Sequence, residues 1–227
     1  EESKDINNNR KDKAYQNPNS WPTYQEDFIK FKEDLLNNKN PRVLLRVYDG
    51  EFWFLKKKKV GNVGKRHVTK DLTDEFIKPF YENSLKCDKF TSHLTIMPGG
   101  SMHKLYTDVY GSKKIDYPME FHYAIILNKW IFKNFKNQIG LIGGSEKIKV
   151  IKELMKHEQY RDYLGIDLFT DYIEIPERHS CNNPIELEKN IKEQLKNSKA
   201  KIFLFGMGIS KLAVAFKFKE YYPAIYI

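Results

Sequence analysis

Arg46-Val47-Tyr48-Asp49-Gly50-Glu51 places an arginine and two carboxylates within six positions at the end of an apolar run. If extended backbone continues through Gly50, Asp49 and Glu51 point to one side, because strand side chains alternate with period two. Gly50 removes a side chain where the backbone bends or a ligand closes in. Two carboxylates on one side form half a site for a hard divalent cation such as Mg²⁺ or Mn²⁺, whose shell is completed by phosphate oxygens and water. Arg46 is positioned to face a phosphate or to pair with one of the acids. The same spacing also fits a strand followed by a polar helix start, where Glu51 favours the helix N-terminus.

Three further stretches carry ligand chemistry. In the run from Ile202 to Lys211, an apolar segment meets Gly206-Met207-Gly208 before a helical stretch, and glycines there let a phosphate approach backbone N–H groups. The dinucleotide fingerprint is incomplete, since Lys211 stands where its third glycine belongs, and a Walker-type loop is absent. Gly143-Gly144-Ser145 repeats the pattern, with Ser145 as a helix cap and a ligand contact through the glycine backbone compatible with it. The loop from Gly61 to His67 follows four lysines, Lys56–Lys59. Its Arg66 and His67 are expected to fold over a diphosphate and neutralise a leaving group, while the lysines read as a solvated face.

The histidines share no metal-binding spacing. His103, His122 and His179 fall near expected strand ends or loops, where a general base is useful. Among them His103 is the expected catalytic group. Glu51, His67 and Glu177 are the other candidates for a base.

These residues need a scaffold. Short β-branched or aliphatic runs at 43–48, 90–97, 139–142, 172–175, 202–205 and 224–227 alternate with helical stretches at 69–86, 146–164, 183–198 and 209–222. Asn183 suits a cap and Pro184 the first helical position. This alternation predicts an α/β fold: a single Rossmann-like domain with a mostly parallel sheet and helices on both faces. Ligands then bind beyond the carboxyl ends of the strands, where the stretches at 46–51, 143–145 and 206–208 fall. Residues 1–20 read as a flexible polar lead-in and 21–227 as the folded domain.

Composition narrows the partners. The 227 residues carry 39 Lys and Arg against 30 Asp and Glu, a net charge of +9, which points to anionic ligands. Two cysteines far apart exclude a disulfide framework or a cysteine-rich zinc module. No apolar run reaches the ~20 residues of a membrane span. No recognised nucleic-acid module accompanies the basic residues, so no specific nucleic acid is expected as a partner.

The segment Arg46-Val47-Tyr48-Asp49-Gly50-Glu51-Phe52 resembles that of the GT-D-type glycosyltransferases, which carry Arg-Phe-Gly-Asp-Gly-Glu at the end of an early strand. The arginine, the Asp-x-Glu motif and the intervening glycine are kept; Tyr48 departs where the family usually has glycine. The late strand, small-residue turn and Ala-containing helix at 202–218 also fit. In the family the last strand typically continues into an Asp-x-Gly element; this sequence stops at Ile227, before that point. The resemblance covers roughly residues 40–227. It implies transfer of a sugar from a nucleotide-sugar, commonly a UDP-sugar, to a glycan or glycoprotein acceptor, with Mn²⁺ (or Mg²⁺) held at Asp49 and Glu51. The donor-binding set is then Arg46, Gly50, Arg66, His67, Gly143, Gly144, Gly206 and Gly208. The expected location is cytoplasmic, bacterial or that of a host cell. The competing expectations are another nucleotide-cofactor enzyme, a methyltransferase or dehydrogenase binding at Gly206–Gly208, and a non-catalytic polyanion-binding module using the Lys56–Arg66 tract.

Overall fold

A computed structural model of the chain describes Trp21, residues 23–37 and residues 40–227. The lead-in expected at 1–20 lies outside the described residues. Among these, seven strands form one sheet in the order β3-β2-β1-β7-β6-β4-β5. They are β1 (Arg42–Val47), β2 (Lys89–Ser92), β3 (Tyr117–Pro118), β4 (Ile139–Gly144), β5 (Asp171–Ile175), β6 (Ile202–Gly206) and β7 (Ile225–Tyr226). Every pairing is parallel.

Alternation along β1 shows how the sheet separates two cores. Val43, Leu45 and Val47 enter one apolar cluster together with Phe52, Phe80, Leu187 and Phe218. Leu44 enters the other with Phe31, Phe121, Ile125 and Ile148. Helices therefore cover both faces, as both-sided burial of β-branched and aliphatic strands requires. Gly140 has a packing reason: it pairs with Phe203, and a Cβ on it would lie 2.3 Å from that ring. Phe203 in turn stacks on Tyr226 with centroids 5.1 Å apart, locking β6 to β7.

Several local expectations change. The run at 90–97 leaves the sheet after Ser92, because the His93 imidazole accepts the Thr95 N–H at 3.1 Å and caps a 3-10 turn, Leu94–Ile96. The stretch at 146–164 divides into Ser145–Leu154 and Glu158–Leu164. The stretch at 209–222 breaks into four short helical pieces. Asn183 does cap Pro184–Leu195, accepting the Glu186 N–H at 3.2 Å, with Pro184 at the helix start. Ser145 does not cap its helix; it is the first helical residue. Helices at Tyr24–Leu36, Asp49–Leu55, His103–Tyr110 and Glu120–Leu127 complete the layers. No helix among the described residues is long and apolar enough to cross a membrane.

Candidate active site

The carboxyl ends of β1, β4 and β6 open onto a cleft of about 470 Å³. Its polar lining includes Arg46, Tyr48, Asp49, Glu51, Lys147 and Lys211, with Gly143, Gly206 and Gly208 at the strand ends. Its apolar wall includes Tyr123, Leu141, Ile148 and Leu204. Arg46, Asp49, Glu51, Gly143, Gly206 and Gly208 thus come together as the sequence leads one to expect.

Arg46 follows Leu44 by two residues and so faces the same side of the sheet. Its guanidinium lies 5.7 Å from the centre of the Tyr123 ring. Among the described residues no carboxylate comes within ion-pair distance of it. His122 is fully enclosed beside it, and its Nε2 has no hydrogen-bond partner. Burial, reinforced by the Arg46 charge, pushes the His122 pKa down to about 3. This corner is a half-buried cation with no carboxylate partner among the described residues, next to an imidazole that stays neutral. Such an arrangement accepts an anion.

The paired acids do not adopt the extended geometry. Asp49 and Glu51 sit in the first turn of the helix Asp49–Leu55. Residues two apart on a helix do not face each other. The Asp49 side chain stays exposed, and its Oδ1 accepts the Gly50 N–H at 2.7 Å. Glu51 is only 8 % exposed. Its Oε2 accepts the Tyr48 N–H at 2.9 Å, and Oε1 is in contact with the Lys211 ammonium. Burial alone would raise the Glu51 carboxyl, but Lys211 and the Tyr48 N–H hold it below its ordinary value. Glu51 is therefore an ion-paired helix cap rather than a free base. No group of three possible ligands for a metal ion occurs among the described residues. The two carboxylates do not share a side as extended backbone would have it: Glu51 is ion-paired to an ammonium and Asp49 faces solvent.

The loop carrying Arg66 and His67 is not a free cover. It forms a tight turn, Val63–His67, fastened to the segment after β5. The His179 N–H donates to the Arg66 carbonyl at 2.6 Å, and the Cys181 N–H donates to the His67 carbonyl at 3.2 Å. The Arg66 guanidinium pairs with Glu177 at 2.5 Å. The second oxygen of Glu177 is buried without a partner, and a Cβ on Gly144 would meet it at 2.1 Å. A Cβ at 144 would require the Glu177 carboxylate to move. The His67 ring abuts Gly208 in the same way, 2.2 Å from where a Cβ would stand. Burial lowers the His67 pKa; Glu51 opposes this, and Lys211, Arg66 and Lys147 add to it. The imidazole is neutral at pH 7. Arg66, His67 and Gly144 thus lie just behind the cleft wall.

His103 is not placed in this cleft. It starts the helix His103–Tyr110, bonds the Ile96 carbonyl through Nδ1 at 2.7 Å, and lines a separate pocket with Tyr106 and Thr107. β2 is separated from β6 and β4 by β1 and β7 in the sheet, so His103, which follows β2, lies apart from the cleft that gathers the other residues. The residue that sequence reasoning undervalued is Lys211, read only as a missing glycine; its position one helical turn beyond Gly208 was the available signal.

The competing expectations also meet the geometry. The Gly206–Gly208 turn leads into a short 3-10 piece, Gly208–Ser210, and its last glycine is covered by His67, so no open helix N-terminus awaits a dinucleotide. In the basic tract Lys56 pairs with Asp108 at 2.7 Å, Lys57 with Asp74 at 2.7 Å and Lys59 with Asp71 at 3.6 Å. Those lysines are locally balanced, which weakens a polyanion surface.

Comparison with known proteins gives a fold relationship. No protein-family model and no curated protein matches the chain. Among solved structures, a glycosyltransferase (DUF1792) from Streptococcus sanguinis superposes with a TM-score of 0.51 at 12% identity, over 87% of this chain and 78% of that one. At that identity the likeness speaks for the Rossmann-like α/β fold.

Proposed function

We propose that the protein is a glycosyltransferase that takes a sugar from a nucleotide-sugar, a UDP-sugar first among them, and passes it to a hydroxyl of a glycan or glycoprotein. The observation that carries this reading is Arg46: a half-buried guanidinium without a carboxylate partner, at the strand-end cleft of a fold shared with a glycosyltransferase. The cleft joins that charge to an apolar wall, and so matches a ligand with a flat nucleoside at one end and a diphosphate at the other. A Cβ on Gly206 would meet nothing within 4 Å, so its backbone is open to close approach.

In this reading Arg46 binds the diphosphate and stabilises the charge that grows on it as the glycosidic bond breaks. Lys147, at the cleft rim, adds to that charge. Attack by the acceptor oxygen needs a base if configuration inverts. A differential thermal shift screen of nucleotide-sugars tests the proposal. A donor at 100 times its Kd adds about 2.7 kcal/mol of stability. Absence of any shift, together with no donor hydrolysis, counts against the proposal.

A further inference from the structure

The Lys211 ammonium is held in the cleft lining against Glu51. It is 6 % exposed. It donates to Glu51 Oε1 and, at 3.0 Å, to the Gly208 carbonyl. An ammonium has three N–H donors, so one remains for a ligand. No second carboxylate lies within ion-pair distance of it among the described residues.

A divalent cation on Glu51 would have to share the carboxylate with this ammonium or expel it. Sharing places two positive charges in contact, and expulsion leaves a buried ammonium with no counter-charge. Asp49 offers no help from the same side, since it stands two residues away on a helix. Three cations, Arg46, Lys147 and Lys211, and two carboxylates, Asp49 and Glu51, line the cleft, so its own charge is 3 − 2 = +1. That is already the sign a diphosphate requires.

We propose that Lys211 occupies the place of a metal ion on Glu51, so that the cleft binds a nucleoside diphosphate without a divalent cation. This rests on the nucleotide-sugar reading above. Lys211 fixes Glu51, and through the Tyr48 N–H it fixes the turn that follows Arg46. Its third N–H adds a direct contact to the phosphate.

The test is calorimetric titration of UDP into the full chain, in EDTA and in Mn²⁺, alongside electron paramagnetic resonance of Mn²⁺ with the protein alone. The expected result is the same affinity in both buffers to within about twofold, with Mn²⁺ alone unbound. Lys211→Met frees Glu51. In EDTA it is expected to lose about tenfold or more in affinity, the scale of one charge-assisted hydrogen bond. Added Mn²⁺ restores part of it, with a new bound-metal signal that a merely structural lysine would not give. The double variant Glu51→Gln, Lys211→Met carries no lone buried charge and should bind neither Mn²⁺ nor UDP tightly. Should Lys211→Met fail to fold, the wild-type comparison decides alone. UDP binding by the wild type only in Mn²⁺ overturns the inference and leaves the glycosyltransferase reading standing. Absence of binding for every nucleotide in both buffers overturns that reading and this inference with it.

Discussion

The imidazole of His67 lies against the α-carbon of Gly208, at a distance that leaves no room for a side chain at position 208. Gly208 also has φ +58, a conformation that L residues adopt at a cost. The turn after β6 and the turn at Val63–His67 are therefore fitted to each other. Gly208→Ala should lower stability by about 2–4 kcal/mol, part from backbone strain and part from the displaced ring. In Gly208→Ala, His67→Ala the ring term disappears, so the double variant should be less destabilised than the sum of the singles. Urea denaturation of the four proteins checks this, and strict additivity would show that the contact does not bear on stability.

Among the described residues Arg46 has no carboxylate partner to lose. Arg46→Gln should leave the melting temperature nearly unchanged while weakening UDP binding by about 1.5–3 kcal/mol, or roughly ten- to a hundredfold. Arg46→Lys should recover only part of the affinity, since the ammonium lacks the planar fork. Calorimetric titration gives the affinities. A loss of stability in place of affinity would mark Arg46 as structural.

Gly144 reports on the Arg66–Glu177 pair. Gly144→Ala should displace the Glu177 carboxylate and cost about 1–3 kcal/mol. Glu177→Ala opens that space, so the alanine at 144 should be far better tolerated in a Glu177→Ala background. The readout is the difference in unfolding free energy between the two backgrounds, and equal costs in both would disprove the contact.

His122 sets a pH dependence. Its folded pKa, about 3, lies below the unfolded value of about 6.5. Between those values the unfolded chain holds a proton that the folded chain does not. Stability therefore falls as pH drops from about 6.5 toward 3, by up to about 1.4 kcal/mol per pH unit from this residue. His67, also depressed, adds to the slope at its upper end. His122→Phe, a ring that suits the Phe31 contact, should flatten the profile by the share of one proton. Chemical denaturation at pH 4, 5, 6 and 7 measures it, and an unchanged slope in the variant would refute the assignment.

The α/β class is legible in the pattern alone, since apolar runs separated by helical stretches leave a parallel sheet as the way to bury both strand faces. The pattern also located the cleft lining at Arg46, Asp49, Glu51, Gly143, Gly206 and Gly208, because ligand-facing residues follow the strands. How those residues are paired depends on the folded chain. Whether Asp49 and Glu51 share a side depends on whether the chain after β1 stays extended or turns helical, and local spacing fits both. Glu51 was settled by Lys211, 160 residues away, and Arg66 by Glu177, 111 residues away. Ion pairs across such separations depend on which strands become neighbours. No window of sequence carries that information, so the pairing of Glu51 with Lys211 emerges only in the folded sheet.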